Sequence, residues 1–510
     1  MRTGEEALGA SVRERTIREL QTDMRAGLQS SEMIVTAYLQ RVATLENAGP
    51  SLRSIVEINP AALEEARRLD EERAAGNVRG PLHGVPVLLK DNIDTADRQH
   101  TSAGSLALAR SVAPQDSGVA ARLREAGAVL LGKANLSEWA NFRSSRSVSG
   151  WSGRGGQCLN PYALDRSPCG SSSGSAAAAA ASLAAVTIGT ETDGSIVCPA
   201  SSCGVVGFKP TVGAVSRAGI IPIAHSQDTA GPMGRTVEDV VLTQVAIQGP
   251  DPRDPITLQT PEGALVNAQA VLDAGALAGK RLGIVTGVFQ WHPHIERQMD
   301  GVRESLRALG AEVVEGVTFV NAADWREAER EVLLFEFKHG LNAYLAGLPD
   351  NGQPRDLSEL IEFNRAHAAT SMPHFGQEIL ELAQTKGGLD DPAYLHALAA
   401  GRRLTREEGI DKLLAEHRLD ALISPTGGPA FIIDYVNGDC HKGSISSPAA
   451  VAGYPHVTVP AGFAHGLPWG LSFFAGAWSD ATVLSYAYAF EHHTAARRPP
   501  SYLPSAVLGS

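Results

Sequence analysis

The sequence predicts an α/β fold. Helical and strand signals alternate along the chain, and the strand candidates are short runs of consecutive apolar residues, as in strands buried on both faces. At 43% apolar and 20% charged residues over 510 positions, the chain has the composition of a globular protein with a large core. Length alone suggests roughly three domains, but large α/β enzymes exceed that scale as one folded unit. No internal repeat stands out.

From Thr16 to Leu45, Ile17, Leu20, Met24 and Leu28, then Ile34, Val35, Tyr38, Leu39 and Val42, recur at helical spacing around a break near Ser30 and Ser31. This predicts a pair of helices. Ala61 to Ala75 reads as a charged amphipathic helix, and after the Gly80–Pro81 turn the run Val85 to Lys90 reads as a buried strand that ends on a lysine. Between Cys169 and Ser195, two serines in glycine-rich loops flank an alanine-rich apolar segment able to pack as one buried helix. Thr187–Gly189, Ala421–Ser424 and Val457–Pro460 have the character of core strands. From Trp291 to His417 the texture turns charged and largely helical, and Leu333, Leu334, Phe337, Leu341, Tyr344 and Leu345 fall on one apolar stripe. Such a helix is either a layer packed on the sheet or a wall of the substrate entrance, and it can be both.

Composition excludes several classes of function. A net charge of −12 argues against nucleic acid, which requires a basic face. Five cysteines in so long a chain read as reduced, buried thiols. Cys198 and Cys203 have the spacing of half a zinc site, but no second Cys/His pair completes it, so no metal is expected. His292, His294, His492 and His493 read as surface or loop residues. The charged N-terminus lacks the apolar core of a signal peptide, and the longest apolar run, Ala176 to Ile188, is too short to span a bilayer, so a cytoplasmic location and no membrane partner are expected.

The chemistry centres on Ser171 and Ser195. Flanking glycines allow close approach of substrate and of backbone N–H groups, as a nucleophile with an oxyanion site requires. A serine needs a base. No histidine lies near either residue in sequence, and the GxSxG turn of the α/β-hydrolases is absent. Lys90 is the alternative, if burial keeps its amine partly neutral, although a lone lysine at a strand end is ordinarily a solvated charge. The residues by themselves leave both readings of Lys90 open.

In combination and in this order, GVPVLLKDNID, RSPCGSSSGSAAAAAA and GTETDGSIVCPASSCGVVGFKPT resemble the amidase signature family, including the 24 positions that separate Ser171 from Ser195. The late AGYPHVTVPAG and GLPWGLSFF segments are similar to it as well. The resemblance implies a large mixed β-sheet covered by helices on both sides. It implies one unit over 1–510, with an N-terminal helical segment at about 14–75 and a more variable helical region at about 290–417 that walls the cleft. It implies Ser195 as the acylated nucleophile, Ser171 as a bridging serine after a cis peptide bond, and Lys90 as the base. The N–H groups of Thr192, Asp193, Gly194 and Ser195 would form the oxyanion hole, with no metal and no cofactor. Most members carry Gly-Gly before the nucleophile, whereas this chain has Asp193-Gly194, a change that aspartate's tolerance of left-handed backbone would accommodate.

TETDGSI, SQDTAGPM and FEFKHGLNAYL are similar to the peptide amidase branch. That branch implies release of ammonia from C-terminal peptide amides through an acyl-enzyme, with a small-molecule or peptide amide as partner, by a monomer or homodimer. Hydrolysis of anilides, aryl amides or carbamates on the same triad is the alternative, followed by membership of a tRNA-dependent amidotransferase complex.

Overall fold

The computed structural model describes residues 11–320 and 322–507, so the first ten residues of the charged N-terminus lie outside it. In chain order its strands are β1 (Ile55–Ile58), β2 (Pro86–Lys90), β3 (Val129–Ala134), β4 (Trp151–Ser152), β5 (Gly156–Gln157), β6 (Val186–Glu191), β7 (Val206–Lys209), β8 (Thr229–Gly234), β9 (Arg281–Thr286), β10 (Glu312–Thr318), β11 (Ala421–Pro425), β12 (His456–Ala464) and β13 (Leu467–Phe474). Eleven of them form one mixed sheet in the order β1-β3-β2-β6-β8-β7-β12-β13-β11-β9-β10, while β4 and β5 pair separately. The β3–β2–β6 and β11–β9–β10 neighbours run parallel, and the remaining pairs run antiparallel.

Both faces of the sheet are covered, as alternation along β9 makes plain. Leu282 and Ile284 pack with Met299, Val302 and Leu306 of the helix Pro293–Ala308 and with Leu484 and Ala487 of the helix Asp480–Thr494. Val285, on the opposite face, packs with Leu413 of the helix Asp411–His417 and Ala449 of the helix Ser446–Ala452. Among the described residues, no helix is long and apolar enough to cross a membrane.

The N-terminal pair consists of Ile17–Arg25, started by a capping box between Thr16 and Glu19, and Ser31–Val42, capped by the Ser30 hydroxyl. Leu28, which the sequence places on the same stripe, lies in the connection and is exposed. The alanine-rich segment departs from a single buried helix: Ser173–Ala180 is helical, Ser182 takes a positive φ of 56°, and the chain returns through the sheet as β6. Small side chains let this short helix lie directly on β2, β3, β6 and β8. The 290–417 stretch includes β10, an edge strand whose exposed Glu312 and Glu315 conceal it from an apolar-run reading.

Gly174 brings this helix close to neighbouring backbone: an added Cβ would stand 2.3 Å from the Ser54 carbonyl oxygen and 2.5 Å from the Asn135 backbone nitrogen. Backbone atoms cannot swing aside. Gly174→Ala is therefore expected to cost at least about 1–3 kcal/mol of stability, read as a fall in thermal midpoint; an unchanged midpoint would contradict the close helix–sheet packing.

Candidate active site

Three chain positions meet at one point of the sheet. β6 runs parallel to β2 on one side and antiparallel to β8 on the other, so the carboxyl ends of β2 and β6 lie beside the start of β8. Parallel neighbours open a crevice at their carboxyl ends. Lys90 ends β2, Glu191 ends β6 and Asp228 directly precedes β8.

Lys90 is fully buried. Its Nζ donates to the Ser171 hydroxyl at 2.8 Å, the Thr190 hydroxyl at 2.8 Å and the Thr190 carbonyl at 3.2 Å. Burial lowers its pKa to about 7 against the opposing pull of Asp228 and Glu191, so near neutral pH the amine is charged and neutral for comparable fractions of the time. Asn92 donates to the same Thr190 hydroxyl at 3.0 Å, which fixes that hydroxyl from the other side.

The three consecutive serines have distinct partners. The peptide bond between Gly170 and Ser171 is cis, and the Ser171 hydroxyl faces Lys90. Ser172 Oγ donates to the Thr190 carbonyl at 3.0 Å and accepts from the Thr190 N–H at 3.2 Å, stitching the loop to β6. Ser173 Oγ donates back to the Cys169 carbonyl at 2.7 Å. Ser171 is thus the member of the trio placed against the lysine. No hydrogen bond joins its hydroxyl to that of Ser195; the two loops are tied instead by the Ser172 N–H donating to the Ser195 carbonyl at 3.1 Å.

The turn 192–195 is held by side chains, while its own N–H groups make no hydrogen bond to a protein acceptor among the described residues. Glu191, buried at the end of β6, accepts from the N–H groups of Ile196 at 2.7 Å and Val197 at 3.0 Å, at the start of the helix Val197–Ser202. Thr192 Oγ1 donates to Asp228 at 2.6 Å, and the other Asp228 oxygen accepts from Ile223 and Ala224 N–H at 2.8 and 2.9 Å. Burial raises the Asp228 pKa to about 6. Left-handed backbone falls on Gly194, φ 77°, and not on Asp193, contrary to the expectation that aspartate must tolerate it. A Cβ at Gly194 would also stand 2.8 Å from Cys198 Sγ and 2.9 Å from Ser446 Oγ, so glycine is demanded there on two grounds. A side chain fits at 193 because its carboxylate accepts from the Ser447 hydroxyl at 2.7 Å, in the first turn of the helix Ser446–Ala452.

Ser195 opens on a cavity of about 680 Å³ whose lining includes Gly170, Thr192, Asp193, Phe142 and Ile223. The helix Ala322–Gly347 packs into the core along one stripe and contributes other residues to the cavity lining. Leu334, Phe337, Leu341 and Leu345 are buried against Leu357, Leu360 and Ile223, while Arg326, Glu329 and Leu333 line the cavity. Cys198 lines the cavity and packs with Cys169, whereas Cys203 packs in a separate cluster with Cys158 and Tyr162. Sequence reasoning missed Thr190, Glu191, Asp228 and Glu329. Glu191 and Asp228 stand inside the quoted TETDGS and SQDTAGPM runs, but their work depends on contacts that sequence spacing does not encode.

A family model for the amidases matches residues 33–484. The chain is similar to a solved structure of native peptide amidase from Stenotrophomonas maltophilia, with 51% identity and a TM-score of 0.92 over 96% of this chain and 99% of that one. A probable amidase of Arabidopsis thaliana is 41% identical over 97% of this chain and 92% of its own length. A glutamyl-tRNA(Gln) amidotransferase subunit of a Synechococcus species is 35% identical over 97% and 95%.

Burial of Lys90 carries a stability signature. The amine binds its proton at about 7 in the folded chain and near 10.5 when solvated. Between those values the unfolded chain binds more protons, so stability rises with pH. The cost is fully present below pH 7 and is relieved toward pH 10. Lys90→Met lacks this dependence, and its midpoint relative to wild type is expected to fall steadily from pH 7 to pH 10. A pH-independent difference would contradict the depressed pKa.

Proposed function

The chain belongs to the amidase family, and from that premise we propose that it releases ammonia from C-terminal peptide amides through a Ser195 acyl-enzyme, with Ser171 and Lys90 as the proton relay. The observation that carries the reading is the hydrogen bond of 2.8 Å between the Lys90 amine and the Ser171 hydroxyl, formed by an amine whose pKa of about 7 suits a base at neutral pH. The 51% identity to a peptide amidase supports the choice of substrate.

In the first half-reaction the Ser195 hydroxyl attacks the carboxamide carbon. Its proton passes to Ser171 as the Ser171 proton passes to Lys90. The carbonyl oxygen, now anionic, is received by the unpartnered N–H groups of the 192–195 turn, each such donor being worth roughly 3–4 kcal/mol. Return of the proton through Ser171 to the leaving nitrogen expels ammonia and leaves the acyl group on Ser195. Water then repeats the sequence, and the peptide acid departs. A leaving group as small as ammonia needs little room beyond the scissile nitrogen, whereas the peptide needs a large acyl side, for which the cavity of about 680 Å³ has space.

The purified chain, assayed alone, is expected to release ammonia from an N-blocked dipeptide amide and to leave the internal peptide bond whole. An anilide or aryl carbamate turned over strongly, with negligible peptide deamidation, would move the substrate to the alternative class. No turnover without a partner would favour the amidotransferase reading.

Lys90→Ala and Ser195→Ala are each expected to lower kcat by at least about 10³-fold with the fold intact. In the wild type kcat/KM should rise with pH through about 7 as the lysine loses its proton. A lysine variant that keeps most of its turnover would remove Lys90 from the mechanism.

A further inference from the structure

We propose that a second chamber beside the catalytic cavity is a subsite for the upstream part of the substrate, taking an aromatic or large aliphatic side chain of a peptide amide whose amino terminus is blocked. The proposal rests on the peptide amidase reading above and adds to it the side chain and the terminus that the enzyme selects.

The chamber encloses about 460 Å³. It shares Cys169, Cys198, Phe431, His441 and Lys442 with the cavity onto which Ser195 opens, so the two meet along a common boundary. Cys198, in the first turn of the helix that follows Ser195, lines the catalytic cavity together with it. Ser195 and the boundary residues line one cavity, so an extended peptide acylated on Ser195, advancing about 3.3–3.6 Å per residue, has a continuous path toward that boundary. Beyond it the walls are largely apolar, with Trp291, Pro293, Ala430 and Leu467 among them.

Charge distinguishes the two spaces. Asp193, Glu329 and Asp439 line the catalytic cavity, yet among the described residues no aspartate or glutamate lines the chamber. Its cations are Arg166, paired with Asp165 at 3.3 Å, and Lys442, which has no carboxylate within ion-pair distance among the described residues. In a chain of net charge −12, this is a local exception. A substrate ammonium entering the chamber would lose water and gain no carboxylate, with a lysine close by; an acylated terminus incurs neither penalty.

Gly428 offers a way to close the chamber. It lines the space, an added Cβ would meet no heavy atom within 4 Å, and its φ lies outside the left-handed region. Gly428→Trp should therefore fill the chamber without straining the backbone, and its thermal midpoint checks this.

The experiment compares kcat/KM for four amides: N-acetyl-leucinamide, N-acetyl-glycyl-glycyl-leucinamide, N-acetyl-phenylalanyl-glycyl-leucinamide, and the last with its amino terminus free. In the wild type the acetylated phenylalanyl substrate is expected to exceed both the glycyl analogue and the free-amine form by about tenfold, a factor of the size one buried apolar group supplies. Gly428→Trp should bring the phenylalanyl-to-glycyl ratio to about one. Lys442→Glu should narrow the preference for the blocked terminus. Equal rates for all three tripeptide amides in the wild type, or a phenylalanyl preference that survives Gly428→Trp in a folded variant, would overturn the subsite while leaving the peptide amidase reading in place. Failure of the wild type to deamidate any of the four would overturn that reading, and the subsite with it.

Discussion

The constraint on which the rest of the structure depends is the removal of the Lys90 amine from water. Desolvation disfavours the ammonium, and only this shift makes a lysine usable as a base near neutral pH. It comes from placement: Lys90 ends a strand flanked by parallel β3 and β6, beneath a loop whose serines bond to β6. Asp228 and Glu191 pull the other way, stabilising the charged form, so the amine is balanced near pH 7 rather than driven permanently neutral. The base of the proposed relay, which would first take a proton and then return it, requires this balance. The short alanine helix serves the same end, since a helix with larger side chains could not sit low enough on the sheet to carry the Ser171 loop onto the lysine.

The turn 192–195 obeys a complementary rule. Loops usually commit their backbone donors to internal hydrogen bonds. Here Glu191, Asp228 and Ser447 fix the turn through side chains, and among the described residues the four successive N–H groups have no protein acceptor, beside a cavity. Rigidity and unsatisfied donors are compatible only because the anchors are side chains: Glu191, directly before the turn, and Asp228 and Ser447 from two other parts of the chain. Pre-fixed donors are what a developing oxyanion rewards, because no reorganisation is required when charge appears.

Much of the sheet was legible in the sequence because its strands are consecutive apolar runs. Val85–Lys90 and Ala421–Ser424 match β2 and β11 within a residue, and the break near Ser30 and Ser31 coincides with a helix cap. β10 escaped because one face of an edge strand is solvated and glutamates are welcome there. Leu28 misled because helical spacing continued past the end of a helix. At the candidate site, motif order picks out Lys90, Ser171 and Ser195, but it is silent on why Ser171 rather than Ser172 or Ser173 faces the amine. That depends on Thr190, 18 or more residues away in sequence, which holds Ser172 and the lysine at once. Asp193 is the instructive miss. Local backbone preference explained the substitution from the wrong angle, since the φ that matters belongs to Gly194 and the side chain is accommodated by Ser447, which no local rule could reach.

The sheet's change of direction at β6 gives the site its shape. If β2, β6 and the next neighbour all ran parallel, three loops would leave the same edge on their way back, and each would need a crossover to cover it. Because β8 runs antiparallel, its first residue lies beside the last residue of β6, and the segment feeding it delivers Asp228, braced by the Ile223 N–H, directly against the turn. One edge of the sheet therefore receives two outgoing ends, bearing Lys90 and Glu191, and one incoming end, bearing Asp228. The lysine's counter-charges thus come from different strand ends and are held at fixed depth by the sheet itself. On the remaining side the helix Ala322–Gly347 contributes Arg326, Glu329 and Leu333 to the lining of the cavity onto which Ser195 opens.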